Sequence, residues 1–119
     1  MVKSVVTQVG PLALSFEEEK VIILFGPSAP EELKEVSVIQ EIQESGDEPI
    51  SAGDTLQIGE QEYKLVKVGS SAYKNLLEIG HISIYFSEAP DEVLPGSIYV
   101  TPDLFPIIKE GDTILFTKK

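Results

Sequence analysis

The sequence predicts an all-β fold: a small closed or nearly closed β-barrel of about eight short strands with one short α-helix. Two observations carry that expectation. Apolar residues recur with period two in short runs bounded by Gly and Pro, and only one segment places them at helical spacing. The chain has 119 residues, 42% of them hydrophobic. That is the length of a single domain, here residues 1–119, with enough apolar surface to offset the conformational entropy of folding. In so small a domain, evenly spaced strands hide their edges most readily by antiparallel closure.

The elements follow in order. Val2–Val9 and Lys20–Phe25 are the first two strands, the second closed by Gly26-Pro27. Residues 27–35 form a loop in which Ser28 can begin one or two helical turns. Val36, Val38, Ile39 and Ile42 then mark a half-buried third strand over Val36–Ile42. Glu41, Glu44, Asp47 and Glu48 surround Ser45-Gly46 as an acidic solvated turn ending at Pro49. Thr55–Ile58 and Tyr63–Val68 make a hairpin across Gly59–Glu62. After Gly69, Ser70 or Ser71 can cap a helix running to about Ile79, with Ala72, Tyr73, Leu76, Leu77 and Ile79 near one face. Gly80 stops it. Ile82, Ile84 and Phe86 alternate in the next strand, and Ser97–Val100 and Thr113–Thr117 supply the last two.

The chain also echoes itself. The run Pro49-Ile50-Ser51-Ala52-Gly53-Asp54-Thr55-Leu56 resembles Pro106-Ile107-Ile108-Lys109-Glu110-Gly111-Asp112-Thr113-Ile114 with a one-residue offset. Each places Gly-Asp-Thr just before an alternating run, which predicts a turn whose Asp side chain binds nearby backbone N–H groups.

Composition removes several function classes. Twenty Asp+Glu against nine Lys+Arg leave a net charge of −11, which repels nucleic acid and anionic membranes. The longest purely aliphatic or aromatic run, Val21–Phe25, is far short of the roughly 20 residues that span a bilayer. The start lacks the apolar core of a secretory signal and cysteine is absent, so cytoplasmic residence is the expectation. With no thiolate and one imidazole, structural zinc sites and thiol chemistry fall away. No metal or other cofactor is expected.

His81 is the first candidate for chemistry, because imidazole is the one side-chain type with an unperturbed pKa near neutrality and has a ring nitrogen able to attack phosphorus. The competing reading is an imidazole satisfied by a backbone carbonyl, and the negative end of the preceding helix disfavours an added phosphoryl group. Ser70 and Ser71 are the second candidate, with Lys74 nearby. A strand, a Gly and two Ser opening a helix present N–H groups to an anion, though ordinary N-capping uses the same residues. The two sites compete, since a helix from Ser71 to Ile79 is roughly 12–14 Å long.

A family resemblance rests on particular residues. The run Val68-Gly69-Ser70-Ser71-Ala72, with Asn75-Leu76 and Glu78-Ile79-Gly80-His81-Ile82-Ser83-Ile84, precedes Leu94-Pro95-Gly96-Ser97-Ile98-Tyr99-Val100. Together with Val21–Phe25 and Pro30-Glu31-Glu32-Leu33, it resembles the glucitol/sorbitol-specific enzyme IIA component of the bacterial phosphotransferase system, over nearly the whole chain. The resemblance implies a small all-β barrel and a phosphoryl relay. A histidine of such proteins accepts phosphate from the carrier protein HPr and passes it to a cysteine of the IIB component of a membrane transporter (IIB/IIC), which phosphorylates the polyol as it enters.

The chain departs from that pattern at one place. The family's phosphoryl-accepting histidine lies on the third strand, and the matching stretch Val38-Ile39-Gln40-Glu41-Ile42 puts Gln40 there. Glutamine has no nucleophilic ring nitrogen. His81 matches a second family histidine. Three functions stay open: a phosphocarrier using His81, a IIA-like binding or regulatory module without phosphoryl transfer, and a barrel that binds a polyol through Ser, Tyr and Gln side chains.

Overall fold

The computed structural model describes residues 1–119. Eight strands and two helices follow one another: β1 Val2–Val9, β2 Val21–Phe25, α1 Glu31–Lys34, β3 Val38–Ser45, β4 Thr55–Ile58, β5 Gln61–Val68, α2 Ala72–Ile79, β6 Ile82–Tyr85, β7 Ser97–Thr101 and β8 Thr113–Thr117. The strands close into a barrel in the order β1-β3-β2-β6-β7-β5-β4-β8. Closure leaves no free sheet edge, as expected for so small a domain.

The sheet is mixed where antiparallel closure is predicted. β2 runs parallel to β3 and β6 parallel to β7, while every other neighbour is antiparallel. Parallel neighbours need a crossover between them. α1 lies in the connection from β2 to β3, and the long stretch after Tyr85 joins β6 to β7.

These pairs repeat. β1 to β4 are matched in turn by β5 to β8, giving the barrel an internal two-fold. Leu24 pairs with Val38 as Ile84 pairs with Ile98, and Val9 with Val38 as Val68 with Ile98. The backbone bonds outside the ladders obey the same relation. Gly10 N–H donates to the Ser37 carbonyl as Gly69 N–H donates to Ser97, and Val6 N–H to Asp112 as Leu65 N–H to Asp54. The Gly-Asp-Thr echo is the sequence trace of this symmetry. Gly53 and Gly111 have φ near +93° and +91°. Asp54 Oδ2 accepts from Ser51 N–H at 2.8 Å, and Asp112 Oδ2 from Lys109 N–H at 3.0 Å.

Period-two alternation produces the core. Ile22 and Leu24 of β2, Ile82 and Ile84 of β6, and Leu56 and Ile58 of β4 are fully buried. Phe86 belongs to the same buried cluster, edge-on to Tyr63 at 5.0 Å and to Phe105 at 5.9 Å. Burial of these side chains is the main drive to fold.

Several boundaries differ from the sequence expectation. A second, four-residue helix exists, and it begins after Pro30, with no side-chain cap, and not at Ser28. β3 runs on to Ser45, so Glu41 and Glu44 lie on a strand, held by pairing with β1. The hairpin turn is only Gly59-Glu60, because Ile58 pairs with Gln61. On α2, Ala72 and Leu76 are buried, but Leu77 and Ile79 are exposed because the barrel covers only one narrow stripe of the helix.

Candidate functional site

α2 ends where the chain enters the barrel wall, and that junction builds the site. Gly80 adopts φ +70°, ψ 10°, a left-handed geometry that glycine takes without steric cost. Its N–H donates to the Leu76 carbonyl at 3.0 Å, and the His81 N–H donates to Asn75 at 3.2 Å, closing the helix. The backbone of Gly26 crosses here. Gly26 N–H donates to the Ile79 carbonyl at 2.9 Å, and a Cβ on Gly80 would stand 2.7 Å from Gly26 Cα.

His81 is half-buried. Its ring packs on Phe25 with centroids 4.5 Å apart, and Nδ1 lies 3.2 Å from the Leu24 carbonyl. A carbonyl can only accept, so in the neutral ring the proton sits on Nδ1 and the lone pair on Nε2. The carbonyl partner belongs to strand β2 and not to the helix end.

Gln40 faces the other way. It shares the inward face of β3 with Val38, is 1% exposed, and both ends of its carboxamide are engaged. Nε2 donates to the Gly80 carbonyl at 3.0 Å, and Oε1 accepts from the Ser4 hydroxyl. Gln40 opens on a concavity of about 290 Å³ lined also by Gly26, Ser28, Ile42, Leu77 and Gly80. His81 does not line it. The structure therefore places Gln40 and His81 on either side of Gly80, close in space but presented to opposite sides of the wall. A larger concavity, about 440 Å³ over Gly59–Gln61 and Ile107, contains neither.

The other end of α2 holds Ser70, Ser71 and Lys74. Ser71 occupies the N-cap position without a side-chain cap bond. Its N–H donates to the Pro95 carbonyl and that of Ala72 to Gly69, so two amides at this helix end already have partners. Lys74 is exposed. Neither Ser70, Ser71 nor Lys74 is brought to His81, which stands at the opposite end of the helix.

Sequence reading missed Ser4 and Gly26. Ser4 looks like an ordinary strand residue, and only the pairing of β1 with β3 brings it against Gln40. No group of three or more His, Cys, Asp or Glu side chains could hold a metal ion, and no helix is long and apolar enough to cross a membrane.

Comparison with known proteins agrees with this architecture. The glucitol/sorbitol-specific EIIA components of Escherichia coli (strain K12) and Shigella flexneri are each 26% identical to this chain over 117 residues, covering 96% of it and 92% of theirs. The crystal structure of a PTS system IIA component from Enterococcus faecalis V583 superposes with a TM-score of 0.91 at 38% identity, covering 97% of this chain and 98% of that one. The family model described as PTS system glucitol/sorbitol-specific IIA component matches residues 1–115, and the chain belongs to that family.

Proposed function

We propose that the protein is a phosphocarrier that relays phosphate from HPr to the IIB component of a glucitol/sorbitol transporter (IIB/IIC) at the cytoplasmic face, with His81 as the phosphoryl acceptor. The observation that carries this reading is the 3.2 Å contact between His81 Nδ1 and the Leu24 carbonyl. The Leu24 carbonyl holds Nδ1–H and leaves the Nε2 lone pair for attack. Nε2 attacks the phosphorus of phospho-HPr, the P–N bond to the donor ring breaks, and its electron pair stays on the donor nitrogen. A thiolate of IIB then attacks the same phosphorus, and the P–Nε2 electron pair returns to His81. The family and the relatives' names support the system, and the free ring nitrogen supports the residue.

The test is incubation with phosphoenolpyruvate, enzyme I and HPr, followed by a search for an acid-labile, base-stable phosphoryl adduct. Label on the wild type that vanishes in His81→Ala is the expected result. Label that persists in His81→Ala would overturn the residue assignment.

One observation favours a second reading, a IIA-like binding or regulatory module without phosphoryl transfer. Gln40 stands where the resemblance puts the nucleophile, and its carboxamide is bonded into the wall at both ends. Absence of any label on the wild type selects this reading.

A further inference from the structure

We propose that Gln40 is a positioning residue that sets the orientation and tautomer of His81, an inference that rests on the reading of His81 as acceptor for its kinetic consequence. The peptide unit joining Gly80 to His81 is held at both ends. Its carbonyl accepts from Gln40 Nε2 at 3.0 Å, and its N–H donates to Asn75 at 3.2 Å. With that plane fixed, the imidazole meets two further constraints: the Phe25 ring at 4.5 Å and the Leu24 carbonyl at 3.2 Å.

The direction of the whole chain of bonds follows from one group. The Gly80 carbonyl can only accept, so Gln40 must present its amide nitrogen there and its oxygen to Ser4, whose hydroxyl therefore donates. Gln40 is 1% and Ser4 2% exposed, so water does not compete for these partners. An apolar side chain at position 40 would leave the Gly80 carbonyl without its partner and release the plane that carries His81. The glutamine that stands where the resemblance puts the family's nucleophile thus supports the chain's single imidazole.

The single histidine makes the test direct, because ring ¹⁵N signals come from His81 alone. Two-bond ¹H–¹⁵N correlation of the neutral ring should show Nδ1 protonated and Nε2 bare in the wild type. Gln40→Leu should mix the two tautomers and slow labelling by phospho-HPr on the order of 10–100-fold, the range expected for a misplacement near 1 Å. Ser4→Ala should do the same to a smaller degree, and it carries the test if Gln40→Leu does not fold. A wild-type ring spectrum and labelling rate in both variants would overturn the proposal while leaving the acceptor reading standing. If the wild type takes no phosphate, the acceptor reading falls, and the ring spectra of the variants alone uphold or overturn the positioning.

Discussion

Replacing Gly80 by alanine adds one methyl group at the point where α2 enters the barrel wall. Two costs arise there. The residue sits at φ +70°, where a Cβ costs about 1–2 kcal/mol. The new Cβ also falls 2.7 Å from both Cα and N of Gly26, which are backbone atoms and cannot rotate away. Overpacking of this kind adds about 1–3 kcal/mol, so Gly80→Ala should destabilise the fold by about 2–5 kcal/mol. Gly111 is the control: its φ is +91° and nothing lies within 4 Å of its hypothetical Cβ, so Gly111→Ala should cost only the conformational part, about 1–2 kcal/mol. Urea unfolding of both variants measures the difference, which thermal unfolding should repeat at roughly 4 °C per kcal/mol for a chain of this size. Equal destabilisation of the two variants would refute the steric account of the Gly26–Gly80 crossing.

Other expectations follow from single features. The Asp54 carboxylate is 1% exposed; burial raises its pKa, but bonds from Ser51 N–H, the Lys118 ammonium and Lys119 N–H outweigh this and hold it below the usual carboxylate range. A depressed folded pKa contributes stability that is present above the unfolded value near 3.9 and is lost as pH falls through the folded one. Urea unfolding from pH 6 down to pH 3 should therefore show a flatter profile for Asp54→Asn than for the wild type, with a loss of about 1–3 kcal/mol at pH 6, because Lys118 is still 32% exposed. Gln40→His should gain phosphate from phospho-HPr that survives in the double variant with His81→Ala; no gain would count against position 40 as a lost nucleophile site. Phe86→Ala, at a side chain with 0% exposure packed on Tyr63 and Phe105, should cost about 3–5 kcal/mol in the same unfolding assay. With a net charge of −11, binding to a basic partner surface should slow as salt rises, and a salt-independent association rate would exclude steering.

Strand content was legible because a half-buried strand writes its own signature. Ile22 and Leu24, or Ile82 and Ile84, alternate whatever lies beside them. The helix stop at Gly80 was legible for the same local reason, since a left-handed residue is needed there and glycine supplies it. The start of α1 was less legible, since it begins after Pro30 and not at Ser28. Ser71 does take the N-cap position of α2, yet its hydroxyl makes no cap bond, and its own N–H donates to the Pro95 carbonyl in the loop before β7. Likewise the alternation over Val36–Ile42 gave no hint that the strand runs on through Glu44 to Ser45, since pairing with β1 and not the residues' own propensity extends it.

By itself the sequence determined the class of elements, the family resemblance, and the two positions on which the proposed function rests, Gln40 and His81. It also held the barrel's symmetry in faint form, as the Gly-Asp-Thr echo. Tertiary structure alone decided which strands are parallel, that Gln40 points inward while His81 lies outside the concavity, and that Ser4 and Gly80 lock the glutamine in place. The division has one physical cause. Alternation and capping are set by neighbours a few residues apart, whereas strand order and buried hydrogen bonds join residues far apart in the chain, such as Gln40 and Gly80, and exist only once the barrel has closed.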